Sequence, residues 1–568
     1  MLSQRLATHQ NILGCASEDD FFAYRAQRWM WNEPLQLQRR YVGFNLNGLI
    51  QVAVQAAGGN VTCTNITKLP EGNFNKVFMM TMSNGQQLIV KIPNPNAGRK
   101  HYTTASEVAT MNYLSYKVEI PVPKVLEYCS RIDESAIDAE YIVLEKAPGV
   151  ELSHVWDNLS PRDKSTLVKQ LGEITGRLSK ATFPCYGSLY HLKDLPESEA
   201  RQIDDTYAIG PTTARAWFDD RRDEDHVCLA QFSPMMVLDD MEQFLFSQVN
   251  APGRCPSKLM KALVQRETAC INNFISSPNH CQQGIFNGPG GYCPTRESKL
   301  AVLRDFEKIC QFILPNHKSL NAGILWHNDL HSNNIFVEAN DPKRISCIID
   351  WQATPVYPMF LVASHPALLE FDGPRLEGFT QPQLPENVKQ LSPHSKKAAK
   401  NLFLAQSLWL LYEVQLQRQA PDLLHAIRYT DTHQSQLLGA IATVFDDGEP
   451  YVQSLITDII TDKVWARIVG SDESGKPLVP CPVRYSEGEL QQQKEEFAKW
   501  ERDIDLKQQV LKEVGAYTGW DGAVSPREYD EIRRRLQSVK ARFLDRQAKT
   551  AEERKAWESV WQFQDNMI

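Results

Sequence analysis

No Cys-x-x-Cys pair occurs anywhere in the 568 residues, and the twelve cysteines stand singly. That spacing excludes the usual zinc framework and a thioredoxin-like dithiol, and a reducing compartment is the simplest home for it. Long apolar runs are missing too: stretches such as Phe360 to Ala363 stop far short of the roughly 20 residues of a membrane helix, so no transmembrane segment is expected. Positive charge is not in excess. With a net charge of -8 the chain lacks the basic footprint of a nucleic-acid binder, and no nucleic-acid partner is expected. Internal repeats and low-complexity tracts are absent. Three Asn-x-Ser/Thr triplets, at Asn60, Asn65 and Asn158, come without a secretory signal and read as chance. The first seventeen residues carry Arg5 and no acid, faintly like a mitochondrial presequence, although an ordinary frayed terminus explains them as well.

What is present has a clear change of texture along the chain. The length suggests two or more packed units, since domains of roughly 100 to 200 residues are the norm. From Gly43 to Ala57 apolar residues recur at helical spacing. "VTCTNITKL", "KVFMMTM" and "QQLIVKI" then read as strands, with Asn84-Gly85 as a hairpin turn between the last two. "TASEVATMNYLSYK" (104–117) returns to helical spacing, and "YIVLEKAPG" (141–149) reads as a buried strand ending in a Pro-Gly turn, which marks the first domain boundary. Beyond it the pattern is mainly helical, with amphipathic segments at 162–181 and 296–314 flanking a Pro/Gly/Asn-rich loop at 276–296. Asp219, Asp220, Arg221 and Arg222 read as a solvated helix end. In the charged last eighty residues, Ser525-Pro526-Arg527-Glu528 predicts a capped helix start ahead of Tyr529, Ile532, Leu536, Val539 and Phe543. Thr550 to Glu553 repeats the cap before Trp557 and Trp561, and both stripes are expected to pack on the host domain.

The segment "LWHNDLHSNNIFV" (325–337) crowds polar groups between apolar ends. Phosphoryl transfer from a nucleotide needs a base or orienter for the acceptor hydroxyl and oxygen ligands for magnesium, a hard ion. Asp329 and Asn334 stand at the D-x-x-x-x-N spacing of a kinase catalytic loop, and Asp350 follows the apolar "ISCII", where a buried strand would deliver a second metal ligand. In the first lobe "LIVK" puts Lys91 at the end of the third strand, the position of a phosphate-gripping lysine. Glu107, on the next helix, is placed to pair with it. His327 and His331 read as residues that brace the loop.

These residues resemble the aminoglycoside phosphotransferase and choline kinase branch of the kinase-like superfamily. "HNDLHSNNIFV" is similar to its H-G-D-L-H-x-x-N loop and "IIDWQ" to its I-D-W element. More closely, "AQRWMWNEPLQLQRRYVGFN", "LPEGNFNKVF", "SEVATMNYL", "YIVLEKAPG" and "IGPTTARAWFDDRR" resemble the fungal family named for altered inheritance of mitochondria protein 9. The resemblance runs from about residue 20 to the C-terminal helices. It implies Asp329 as catalytic base, Asn334 and Asp350 as magnesium ligands, and Lys91 on the alpha and beta phosphates, braced by Glu107. It also implies a hinge at Leu144 to Ala147, with Glu145 and Ala147 meeting the adenine. The phosphate loop departs from the pattern: no G-x-G-x-x-G precedes Lys91, only "EGNFNKV", in which Gly72 and Asn73 would approach the phosphates. The Phe-Gly of a protein-kinase switch and a following A-P-E are also missing.

The expected architecture is α+β, a two-lobed protein kinase-like fold of the aminoglycoside phosphotransferase type, with a helical insertion and a C-terminal helical extension. The expected divisions are a segment 1–40, a nucleotide-binding lobe 41–147, a helical lobe 148–484 with an insertion at about 190–320, and an extension 485–568. The implied function is transfer of phosphate from ATP, with Mg2+, to a hydroxyl of a small molecule. The alternative is a pseudokinase or nucleotide-binding module with a maintenance or interaction role. The resemblance implies mitochondria; cytosol is the fallback.

Overall fold

The computed structural model describes residues 18–218, 256–273 and 286–565. The presequence-like stretch, the charge cluster at Asp219 to Arg222 and residues 276–285 of the 276–296 loop lie outside the described residues.

The first lobe is built on five antiparallel strands, β1 (Cys63–Lys68), β2 (Asn75–Met82), β3 (Gln87–Pro93), β4 (Val125–Cys129) and β5 (Tyr141–Glu145), in the order β1-β2-β3-β5-β4. Alternation makes the sheet two-faced: in β2 Lys76, Phe78, Met80 and Met82 are buried on one side. Gly85 turns the β2–β3 hairpin at φ +84°, a conformation that costs glycine nothing. Helix α1 (Leu46–Ala56) covers the outer face. Its first turn is fixed by the Asn45 side chain, which accepts from the Gly48 N–H at 3.0 Å, and Leu49 and Ala53 reach the core beside Phe78 and Val90. On the inner face, helix α2 (Tyr102–Tyr113) is buried without interruption from Thr103 to Met111. A helix enclosed on all sides carries few charges, and its one buried acid is Glu107.

The second lobe is mainly helical. Helix α3 (Pro161–Lys180), whose N-cap Ser160 accepts from Asp163 N–H, packs along α4 (Pro393–Gln419), with the Tyr412 hydroxyl 3.0 Å from Thr175 Oγ1 between them. Strands β6 (Val150–Glu151), β7 (Ile335–Glu338) and β8 (Asp341–Ile348) form a small sheet with β7 in the middle. Gly149 enters it at φ +93°, and a Cβ there would lie 1.9 Å from the Val337 carbonyl oxygen. Two further three-stranded sheets, one of 182–183, 323–325 and 356–358, the other of 188–191, 201–202 and 207–210, interrupt the helical reading. Strands of two to four residues are too short for a period of two to register.

The C-terminal extension is α5 (Glu487–Val514), α6 (Tyr529–Gln547) and α7 (Ala551–Ser559), with a core of its own in which Phe543, Trp561 and Phe563 surround Phe286 and Trp557 packs on Phe543. Thr550 caps α7 as expected, accepting from Glu553 N–H at 3.1 Å. The expected start of α6 is corrected: the helix begins at Tyr529, and Ser525 to Glu528 form a turn in which the Ser525 carbonyl accepts the Glu528 N–H. Arg28–Trp29 pairs with Ala523–Val524 in a two-stranded antiparallel ribbon. No helix of the described residues is long and apolar enough to cross a membrane.

Candidate functional site

The loop from Trp326 to Asn334 lies between strand 323–325 and β7, and its polar groups bond to one another and to neighbouring segments. The His327 ring, 6% exposed, donates from Nε2 to the Ile349 carbonyl at 2.9 Å and accepts the Asp329 N–H on Nδ1 at 3.3 Å. This pairing assigns the neutral Nε2–H tautomer. Burial holds its pKa below the ordinary histidine value, and the Trp351 ring packs edge-on at 4.7 Å. The bracing role read from the sequence is what these contacts perform.

Around that pin the loop closes on itself. Asn334 Nδ2 and the His331 N–H both donate to the Asp329 carbonyl, at 2.9 and 3.0 Å. The Asn334 carbonyl accepts the Ile349 N–H at 3.0 Å, which ties the loop to the segment that delivers Asp350. With its nitrogen committed, the Asn334 side chain keeps its oxygen for another partner. His331 accepts the Asn333 N–H on Nδ1 and sets Nε2 3.3 Å from Asp329 Oδ2, while the Asp329 side chain stays 70% exposed. Asn333 Nδ2 reaches Glu151 of β6 at 2.9 Å, which joins the loop to the strand that follows the interlobe connection.

Lys91 sits on the inner face of β3, opposite Val77 and Ile142. Its Nζ lies 2.6 Å from Glu107 Oε1 of α2 and 3.5 Å from Asp350 Oδ1 across the cleft. Burial opposes the Lys91 charge, but the two carboxylates outweigh it and hold its pKa above the ordinary lysine value. Asp350 adopts φ +65°, a left-handed conformation that non-glycine residues rarely hold, at the end of a strand segment anchored by Trp351 Nε1 on the Ile348 carbonyl. Its carboxylate is half exposed and faces the cleft beside Lys91. The structure therefore brings Lys91, Glu107 and Asp350 together, with Asp329 and Asn334 one hydrogen-bonded loop away.

The glycine-poor loop between β1 and β2 is held by side chains. Its Asn73 carbonyl accepts from Asn96 Nδ2 at 3.2 Å and Asn94 Nδ2 at 3.4 Å, and the Phe74 carbonyl accepts the Asn94 N–H at 2.8 Å. Gly72 is exposed, and a Cβ there would meet nothing within 4 Å. Two contacts escape a reading of the sequence. Asn75 Nδ2 donates to Gln352 Oε1 at 2.8 Å, a direct bond between the loop's strand and the Asp350-Trp351-Gln352 element. The Arg215 guanidinium lies over the Phe74 ring at 3.4 Å, so Arg215 of the second lobe also touches the loop. Of the two hinge residues, Glu145 is paired by its N–H to the Lys124 carbonyl and its side chain is exposed, whereas Ala147 is half-buried before the Gly149 turn.

Residues 364–370 run beside the loop, joined to it by Trp326 Nε1 on Ser364 Oγ at 3.3 Å and by Leu368 N–H on the Leu330 carbonyl at 3.0 Å. They border a cavity of about 630 Å³ whose walls include His365, Glu370, Arg375, Trp409, Glu413 and Arg428.

Residues 65–237 and 296–360 match the phosphotransferase enzyme family. The described architecture, an antiparallel sheet lobe followed by a mainly helical lobe, is of the expected α+β class. A subtelomeric hrmA-associated cluster protein of Aspergillus fumigatus is 28% identical over 512 residues, covering 89% of this chain and 97% of that protein. Altered inheritance of mitochondria protein 9, mitochondrial, of Yarrowia lipolytica is 22% identical over 522 residues, covering 85% of this chain and 82% of that protein. Among solved structures, a putative aminoglycoside phosphotransferase from Ralstonia eutropha covers 72% of this chain and 99% of its own at 12% identity, with a TM-score of 0.32. The matched family segments contain every one of the cleft residues named above as sequence candidates.

Proposed function

We propose that the chain is a magnesium- and ATP-dependent phosphotransferase that acts on a hydroxyl of a small molecule. The observation that carries this reading is the buried Lys91, held between Glu107 of the first lobe and Asp350 of the second, with the Asp329–Asn334 loop bonded to the segment that delivers Asp350. Lys91 would grip the alpha and beta phosphates, kept in place by Glu107, while the backbone at Glu145 and Ala147 meets the adenine. The loop at Gly72 and Asn73 would close over the phosphates. Asp329 would take the proton of the acceptor hydroxyl as its oxygen bonds to the gamma phosphorus and the bond to ADP breaks, with His331 orienting the carboxylate.

A divalent ion fits the donor set. Asp350 offers a half-exposed carboxylate and Asn334 an amide oxygen left over from its bond to Asp329, both hard donors of the kind magnesium prefers, with phosphate and water oxygens completing the shell. When bound, magnesium would neutralise charge on the phosphates. Among the described residues no group of three or more His, Cys, Asp or Glu is placed to hold a metal by itself, which suits an ion that arrives with its nucleotide.

The cavity beside residues 364–370 is where we place the acceptor; its mixed carboxylates and guanidinium groups suit a polar, hydroxyl-bearing molecule. Since the relatives at 20 to 22% identity carry the word mitochondrial in their names, we place the protein in mitochondria as well. Calorimetry with ATP, with and without magnesium, tests the nucleotide half of the reading. Binding that requires magnesium and fails in Asp350→Asn and Lys91→Met is expected; no binding by the wild type at millimolar ATP would overturn it.

A further inference from the structure

Lys76 breaks the pattern of its own strand. It shares a face of β2 with Phe78, Met80 and Met82, where alternation calls for an apolar side chain, and it is fully buried. A charge survives there only if it is paired and hydrogen-bonded. Lys76 Nζ donates to the Arg40 carbonyl at 2.8 Å and to Glu71 Oε1 at 3.1 Å. Glu71 opens the glycine-poor loop, its side chain is itself 4% exposed, and it collects two more partners: Lys68 Nζ at 2.9 Å and the Arg25 N–H at 2.8 Å. Lys68 in turn donates to the carbonyls of Asp20 and Ala23. The loop is thus bolted to residues 20–40, on the sheet face opposite Lys91.

Those residues are bolted in their turn to the C-terminal helices. The Arg40 guanidinium lies over the Trp29 ring at 4.3 Å, and Trp29 Nε1 donates to Asp521 Oδ2 at 3.2 Å beside the Arg28–Trp29 and Ala523–Val524 ribbon. The Arg28 guanidinium rests over the Tyr529 ring of α6 at 3.5 Å. The extension is fixed at its other side to the second lobe, where Asp503 of α5 accepts the Tyr292 N–H at 2.8 Å.

We infer that Lys76 and Glu71 are positioning residues for nucleotide phosphates, holding in place a loop that lacks the glycines of its class, and that the terminal ribbon supports them. The inference rests on the reading of the cleft as a nucleotide site. Glycines let a phosphate loop adapt its backbone to the ligand; a loop without them must present its N–H groups preformed. Glu71 is adjacent to Gly72 and Lys76 follows Asn75, so the two anchors bracket the segment that faces the cleft.

The test uses the full-length protein and compares magnesium-ATP with adenosine, which has no phosphates, by calorimetry. Lys76→Met keeps the side-chain length without charge, and Glu71→Gln keeps an acceptor. Both are expected to weaken ATP binding by about tenfold, the scale of one lost charged hydrogen bond, with adenosine binding unchanged. Gly522→Ala strains the ribbon, since Gly522 sits at φ +91° and a Cβ there would lie 3.0 Å from the Trp31 ring, and it is expected to shift ATP binding in the same direction. If ATP and adenosine weaken together, or ATP binding is unchanged in the loop variants, the positioning role is overturned while the nucleotide site stands. An unchanged Gly522→Ala alone overturns the support from the ribbon. Absence of both ligands' binding in the wild type overturns the nucleotide reading and the inference with it.

Discussion

Lys91 Nζ stands 2.6 Å from Glu107 Oε1 and 3.5 Å from Asp350 Oδ1, one cation shared between a helix of the first lobe and the segment that follows a strand of the second. The pair with Glu107 is buried and short; the one with Asp350 is longer and half exposed. A nucleotide and its ion entering the cleft would compete for Asp350 and leave the Lys91–Glu107 bond intact.

Removing Glu107 should therefore hurt both stability and binding. Loss of one partner from a buried ion pair costs about 3–5 kcal/mol, and because Asp350 at 3.5 Å still offsets part of the Lys91 charge the lower end of that range is expected. Denaturant unfolding of Glu107→Ala should show a loss of that order, and calorimetry should show no magnesium-ATP binding. A loss below about 1 kcal/mol, the worth of an exposed pair, would contradict the burial of this contact.

His327 makes the loop sensitive to acid. Its folded pKa lies below the ordinary 6.5 because burial disfavours the charged ring, so the unfolded chain takes up the proton first. The stabilisation is complete above pH 6.5 and falls as pH drops below it. Protonation also removes the Nδ1 acceptor for the Asp329 N–H. Between pH 7.5 and 5.5 the denaturant midpoint of the wild type should fall more than that of His327→Gln; equal slopes would contradict the account.

Lys76 should show a dependence at alkaline pH. Burial lowers its pKa from 10.5 to about 8, with Glu71 pulling the other way. From about pH 8 upward the folded chain gives up this proton while the unfolded chain keeps it, so the wild type gains stability relative to Lys76→Met between pH 8 and 10. Paired unfolding curves at pH 7.5 and 9.5 read the difference; a gap that moves in the opposite sense contradicts the shift.

Two glycines should separate folding from binding. Gly72 has open space around it and no left-handed φ, so Gly72→Ala should leave stability unchanged or raise it by about 0.4–1 kcal/mol, yet weaken ATP by crowding the phosphates. Gly149→Ala meets the Val337 carbonyl and should destabilise. Unfolding midpoints and ATP titration of both variants check the contrast.

The juxtaposition of the 326–334 loop with Asp350, and of Lys91 with Glu107, is legible in the sequence because its signal is local: Asp329, Asn334 and the strand before Asp350 are close in the chain, and Lys91 and Glu107 lie on one strand and the next helix. Nothing in a periodic pattern pairs Asn75 with Gln352, 277 residues on, or Trp29 with Asp521, 492 residues on, so these bonds emerge only in the folded chain. Lys76 does leave a trace, as a charge on the apolar phase of β2. The expected Ser525 cap fails because Ser-Pro-x-Glu satisfies a turn as well as a helix start, and here the Ser525 carbonyl closes the turn.

Phosphoryl transfer to a small molecule is read by incubating the protein with magnesium, gamma-labelled ATP and a mitochondrial metabolite extract. Label in a non-protein product, absent with Asp329→Asn, is the expected result. No labelled product from a wild type that binds magnesium-ATP, or equal labelling by both proteins, would contradict it.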